Sequence, residues 1–289
     1  MGLFRWLKKR LGARRYAWPA VDVTLPDNRH LHLVGSIHMG TQGMSPLPAP
    51  LLQKLHKADA LIVEADVASG GSPFADLPTC PPLAERLTPD VLAMLDEILE
   101  SLGLIREEFD DRPAWHVALV LQATQAQRLG LRPDYGIDYQ LLRAARDAAI
   151  PIIELEGTEN QLAILSQLED GGVELLQDTL VHWRENARLL QVMMSWWLES
   201  PPVGESLALP STFSQPLHEV LMHQRNRAWC ERLMALPPGQ YVVAAGALHL
   251  YGEGNLPALL GKKMANSDIG PSKRNFSIIV MPELTLRVG

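Results

Sequence analysis

Hydrophobic positions follow two periods along the chain. Residues 21–25 (VDVTL) alternate, Pro26-Asp27-Asn28 marks a turn, and residues 30–37 alternate before running apolar. That is the pattern of a hairpin with one face on a core. Residues 60–65 (ALIVEA), 150–156 (IPIIELE) and 241–245 (YVVAA) are short apolar runs, as in strands buried on both faces. Residues 276–280 (FSIIV) predict one more strand, with 284–288 as its partner. Between these lie stretches of helical period at about 49–58, 90–102, 114–129, 139–149, 158–168, 173–198 and 215–235. Thr88-Pro89 supplies an N-cap and a first-turn proline for the second of them. Strands alternating with helices predict an α/β fold with a mostly parallel central sheet flanked by helices. A helical cap or insertion spans about 83–235. The expected organisation is one domain, 20–289, behind a basic amphipathic segment, 1–19.

Composition narrows the class. The chain has 289 residues, 47% of them hydrophobic, enough for a sizeable core without staples. Its two cysteines exclude a disulfide scaffold. The net charge of −7 is unevenly spread. Residues 1–15 carry six basic residues and no acid; the rest holds 20 basic against 33 acidic residues, a net −13. An acidic body argues against nucleic acid as a partner. The basic segment also carries Leu3, Phe4, Leu7 and Leu11 at helical spacing. This predicts peripheral contact with an anionic membrane surface, or docking on the acidic body. No secretory signal or transmembrane run is read, so the expected location is cytoplasmic, with contact to the inner membrane face through residues 1–15.

One short pattern occurs twice. Gly35-Ser36-Ile37-His38 and Gly246-Ala247-Leu248-His249 each follow a predicted buried strand. Both histidines are thereby placed at carboxyl ends of strands, where open α/β sheets bind ligands. Gly35 and Gly246 would admit a close backbone or ligand. Glu64 closes one strand, and Glu154 and Glu156 close another, one of the two being expected in a structural role. Asp138 enters a helix as ligand or N-cap. Two imidazoles and a carboxylate can hold a divalent metal that acidifies bound water. Arg225-Asn226 stands on a helix leading to the second copy, where an arginine can hold a carboxylate or a carbonyl. His30-x-His32 lies at the wrong end of its strand for this site. His218 and His223, five apart on a predicted helix, are not expected to share a face. No Walker loop, G-x-G-x-x-G or G-x-S-x-G occurs.

The paired Gly-x-x-His motifs, Glu64, the Gly136-Ile137-Asp138 turn and Arg225-Asn226 together resemble the TraB/PrgY/GumN family. That family includes the Tiki metalloproteases and is distantly similar to erythromycin esterase-like and haem- or iron-binding ChaN-like proteins. The resemblance spans about residues 20–288. It implies a metal-dependent hydrolase core with His38, His249 and Glu64 as metal or catalytic residues, and Arg225 and Asn226 in support. Many relatives are exported or membrane-anchored, so their substrates do not carry over.

The expectation is therefore a hydrolase of peptide bonds acting on a peptide or protein, with Mn²⁺, Co²⁺, Zn²⁺ or Fe²⁺ at His38, His249 and Glu64. Glu64 serves as ligand or general base, and Arg225 stabilises the oxyanion. Two alternatives stand beside it. One is a non-catalytic module binding metal, haem or a peptide. The other is a metal-independent esterase using His and Glu as acid and base.

Overall fold

A computed structural model describes residues 16–66, 74, 77–202, 209–252 and 254–267. The basic segment 1–15 and the predicted strands at 276–280 and 284–288 lie outside the described residues.

Five strands form one sheet: β1 (Ala20–Leu25), β2 (Arg29–Ser36), β3 (Ala60–Val63), β4 (Ile152–Glu154) and β5 (Gly239–Gly246), in the order β1-β2-β5-β3-β4. The hairpin is where the alternation places it. Asp27 and Asn28 turn the chain at φ 58° and 57°, a left-handed region that short polar side chains tolerate best. β1 is antiparallel to β2, while β2, β5, β3 and β4 run parallel. The expected mostly parallel sheet is thus present, with one antiparallel edge. All four residues of β3 are buried, as a continuous apolar run requires when helices cover both faces.

The helices are α1 (Ala49–His56), α2 (Leu83–Arg86), α3 (Pro89–Leu102), α4 (Ala114–Arg128), α5 (Ile137–Asp147), α6 (Thr158–Ser166), α7 (Val173–Val181), α8 (Trp183–Leu198), α9 (Gln215–His218), α10 (Arg225–Met234), α11 (Ala247–Leu250) and α12 (Leu256–Ser267). Thr88 caps α3 through its side chain, which accepts from Val91 N–H. The periodic stretch 173–198 is two helices meeting at His182. The stretch 215–235 is interrupted by a π-helical segment, Glu219–Gln224, between α9 and α10.

Two hydrophobic clusters divide the interior. One surrounds the sheet and includes Leu33, Leu61, Ile62, Val243, Trp229 and Leu233. The other joins α2, α3, α4, α7 and α9 through Leu83, Leu95, Trp115, Leu121 and Leu176. Truncating a fully buried leucine such as Leu61 to alanine costs about 2–5 kcal/mol, from lost transfer energy plus a cavity. The sheet is thus a rigid base, and its carboxyl edge lies under the loops that carry the histidines. Tyr16 and Trp18 fasten the chain start to it: the Trp18 indole donates to His32 Nε2, and His32 Nδ1 pairs with Asp22 at 2.7 Å. His32 therefore packs the sheet edge and is remote from the site, as its position in the strand predicts.

Candidate functional site

The parallel strands end at one level. β2 delivers His38 two residues beyond its end, β3 is followed at once by Glu64, and β5 runs into α11, which holds His249. β4 is followed by Glu156, and α10 contributes Arg225 and Asn226. Hydrogen bonds join Glu64, Glu156, Arg225, Asn226 and His249, and His38, bonded to Asp138, stands near enough for its charge to act on Glu64 and His249.

Local packing fixes the His38 loop against α5. Ile137 N–H donates to Ile37 O at 2.9 Å, and Gly40 exchanges two backbone bonds with Arg132. The approach is so close that a Cβ on Gly136 would fall 2.2 Å from His38 O, and one on Gly40 would fall 2.2 Å from Tyr135 O. Only glycine fits at either position. The result sets Asp138 Oδ2 2.7 Å from His38 Nδ1. Asp138 is the second residue of α5, and Gly136 occupies the cap, so its carboxylate serves His38 and does not cap the helix. His38 Nδ1–H is thereby the donor, and Nε2 is the free ring nitrogen.

The second copy closes differently. His249 Nδ1 lies 2.7 Å from Asn226 Oδ1, and Asn226 Nδ2 donates to Gly254 O at 3.0 Å. The amide is thus oriented with its oxygen toward the ring. His249 Nδ1–H donates, and Nε2 carries a lone pair facing Arg225 Nη1 at 3.4 Å.

Between them sits an ion cluster. Glu64 Oε1 accepts from Gly246 N–H at 2.6 Å, and Oε2 accepts from Arg225 Nη2 at 2.7 Å. Gln161 reaches Oε2 at 3.4 Å. Gly246 is small enough to let the carboxylate come this near; a Cβ there would meet Glu64 Oε1 at 3.2 Å. Gly35 has the same use against Ala247, at 3.3 Å. Glu156 holds the other side of Arg225, through Nε at 2.8 Å and Nη2 at 3.0 Å. Glu154, two residues earlier and exposed, accepts instead from Asp66 N–H. Residues two apart share a face of a regular strand, but β4 ends at Glu154, and the chain beyond it places Glu156 in the site and Glu154 outside it.

The electrostatics separate the two histidines. The Asp138 carboxylate beside His38 raises its pKa to about 9 against the opposing cost of burial. Yet 64% of the His38 side chain is open, so water screens the pair and weakens its contribution to fold stability. Burial pulls His249 down to about 3, and the neighbouring charges of Arg225 and His38 act in the same direction. Burial pushes the Glu64 carboxyl up, but His249, Arg225 and His38 outweigh it and its pKa falls below the usual value. Since His249 is neutral near pH 7, Arg225 and the His38 imidazolium carry that effect. At neutral pH the site holds a cationic His38, a neutral His249, an ionised Glu64 and a cationic Arg225.

Two findings depart from the sequence expectations. His218 and His223 do meet: their rings are 4.6 Å apart and nearly perpendicular. The π-helical turn between them holds more residues than an α-turn, so positions five apart come to one face. Trp229 is the other residue that motif spacing does not pick out. It is fully buried, lies one helical turn beyond Arg225, and donates its indole N–H to Glu156 Oε1 at 2.8 Å. Counting the α10 face from Arg225 is the signal that finds it.

The residues were tested against a divalent metal. The donor types suit one, and each imidazole is anchored through Nδ1 as metal-bound histidines are. But both Glu64 oxygens are engaged, and the His249 lone pair faces a guanidinium. Among the described residues no three His, Cys, Asp or Glu side chains are arranged to hold a metal ion. The set in this arrangement does not fit the expected His38–His249–Glu64 centre.

The chain is thus an α/β protein whose mostly parallel sheet ends in two Gly-x-x-His loops beside a buried glutamate. Residues 21–265 match the model of the TraB/PrgY/gumN family, and the chain belongs to that family. It is 60% identical over 250 residues to the uncharacterized protein YbaP of Escherichia coli (strain K12), covering 86% of this chain and 95% of YbaP. It shows the same identity and coverage with YbaP of Shigella flexneri. No solved structure matches it. Among the described residues no helix is long and apolar enough to cross a membrane.

Proposed function

We propose that this protein is a hydrolase of carboxylic acid derivatives, peptide or ester, that works by acid–base chemistry between His38 and Glu64. One observation carries the reading: of two histidines in the same motif, one is open to solvent and backed by the Asp138 carboxylate, the other buried and backed by the Asn226 amide, which drives their pKa values apart, to about 9 and about 3, beside an ionised glutamate. Such a separation assigns an acid and a base within one site. His38, open to solvent and held protonated by Asp138, is the proton donor. Glu64 takes a proton from water as the water oxygen attacks the carbonyl carbon. Arg225, with His38, stabilises the oxyanion that forms. His38 Nε2–H then protonates the leaving nitrogen or oxygen as its bond to carbon breaks. Transfer of the Glu64 proton to His38 restores the starting state. His249 stays neutral and holds Arg225 in place.

A second reading has its own support in the Nδ1-anchored imidazoles. On it, His38, His249 and Glu64 hold a divalent metal once Arg225 lets go of Glu64. One experiment addresses both. Peptide and ester libraries are incubated with the purified protein, with and without exhaustive chelation. The acid–base reading expects cleavage that survives chelation and is lost in Glu64→Gln and His38→Gln. Cleavage lost on chelation and restored by Mn²⁺, Co²⁺, Zn²⁺ or Fe²⁺ replaces it with the metal reading. Ligand binding without turnover, or cleavage unchanged in both variants, overturns both.

A further inference from the structure

Arg225 is asked to be a fixed cation, yet an arginine side chain is long and flexible. What fixes it is a cage. Glu156 takes its Nε and Nη2, Glu64 takes Nη2 from the other side, and the His249 lone pair faces Nη1. The floor of the cage is Trp229. The Arg225 guanidinium carbon lies 4.7 Å from the indole centroid. The same indole lies 4.4 Å from the His249 ring, tilted by 47°. Its N–H is spent on Glu156 Oε1, the oxygen that also accepts from Arg225 Nε. Trp229 thus touches the arginine, the glutamate that orients it and the histidine beyond it.

We infer that Trp229 is a positioning residue of this site, setting the direction of the Arg225 guanidinium through the Glu156 carboxylate and the indole face. The inference rests on the hydrolase reading for its kinetic consequence but not for its structural one. A residue that only filled the core would contribute apolar volume, and phenylalanine would replace most of that. A positioning residue needs both the face and the N–H. Without the N–H, Glu156 loses one of its fixed donors and can rotate. Without the face, the guanidinium loses its floor.

The test uses the full chain with Trp229→Phe and Trp229→Leu. The first keeps an aromatic face and removes the donor; the second removes both. The Arg225 Nε–H resonance is followed by ¹⁵N NMR, which needs no turnover. We expect it slowly exchanging in the wild type, faster in Trp229→Phe and averaged with bulk arginine in Trp229→Leu. In the cleavage assay we expect kcat to fall about tenfold and about a hundredfold respectively, with KM within about twofold. Where a Trp229 variant fails to fold, Glu156→Gln reads the same link from the other end, by a shift of the Trp229 indole N–H resonance. An Arg225 Nε–H signal unchanged in both Trp229 variants overturns the inference, as does an indole signal indifferent to Glu156→Gln. Absence of any cleavage in the wild type overturns the hydrolase reading and leaves the NMR result standing.

Discussion

The first Gly-x-x-His copy ends in an imidazole 64% open to solvent with a carboxylate behind it; the second ends in a buried imidazole with an amide behind it. The motif is the same, and the strands are neighbours in the sheet. The pKa values part chiefly by partner and burial, with the neighbouring charges of Arg225 and His38 adding to the fall at His249: Asp138 stabilises the cation, while Asn226 accepts the same N–H without favouring charge. A Gly-x-x-His loop therefore determines where an imidazole sits, and the residue facing Nδ1 determines what it does.

The strongest way to break this contrast is at the loop contact that creates the first copy. Gly136→Ala would drive a Cβ into the His38 carbonyl. It should cost upwards of about 1–3 kcal/mol in urea unfolding, the usual range for overpacking, and separate His38 from Asp138. An unfolding curve matching the wild type would show that the loops are not rigidly apposed.

Asp138→Asn makes the first copy resemble the second. The His38 pKa should fall from about 9 toward or below the ordinary 6.5, read by NMR titration of the ring. The proposed activity at pH 7 should drop about 10²-fold, the low end for losing an acid catalyst. In the wild type that activity should decline as pH rises through about 9, where His38 gives up its proton. A flat alkaline limb would remove His38 from the acid's role.

Asn226→Ala attacks the second copy. It leaves His249 Nδ1 and Gly254 O without their partner, and should cost about 1–3 kcal/mol by denaturant unfolding. Loss of less than a few tenths would mean that neither bond is formed in solution.

A further effect is in acid. His249 is lower in the folded state, about 3, than its ordinary 6.5, so the folded protein binds fewer protons there. Its contribution to stability is complete above pH 6.5 and is lost as pH falls toward 3. His38 has the opposite sign: its contribution is complete below pH 6.5 and is lost as pH rises through about 9, weakened by solvent screening. Urea titrations from pH 4 to 9 on His249→Asn and His38→Asn should move opposite ends of the profile.

Much of this was legible in the chain, for physical reasons. Strands buried on both faces must be continuously apolar, so β3 and β5 stand out, the alternating hairpin marks β2, and the ends of the three lead to Glu64, His249 and His38. The Thr88 cap and the Asp27-Asn28 turn are local chemistry and equally plain. Partner choice was less visible. Nothing in the sequence near residue 138 says that its carboxylate will meet a ring 100 residues earlier rather than cap its own helix. The His218–His223 approach was missed because a π-turn breaks the spacing on which face counting depends. The expected metal triad is not assembled, because the Arg225 guanidinium stands between Glu64 and His249.

That π-helical segment has a consequence for how the chain can vary. Glu219–Gln224 lies between α9 and the helix carrying Arg225, Asn226 and Trp229. The wider turn holds about one residue more than an α-turn, so deleting a single residue would restore ordinary helical winding and leave α9 and α10 nearly in phase. Loss of one residue should therefore be tolerated better here than within α10 itself.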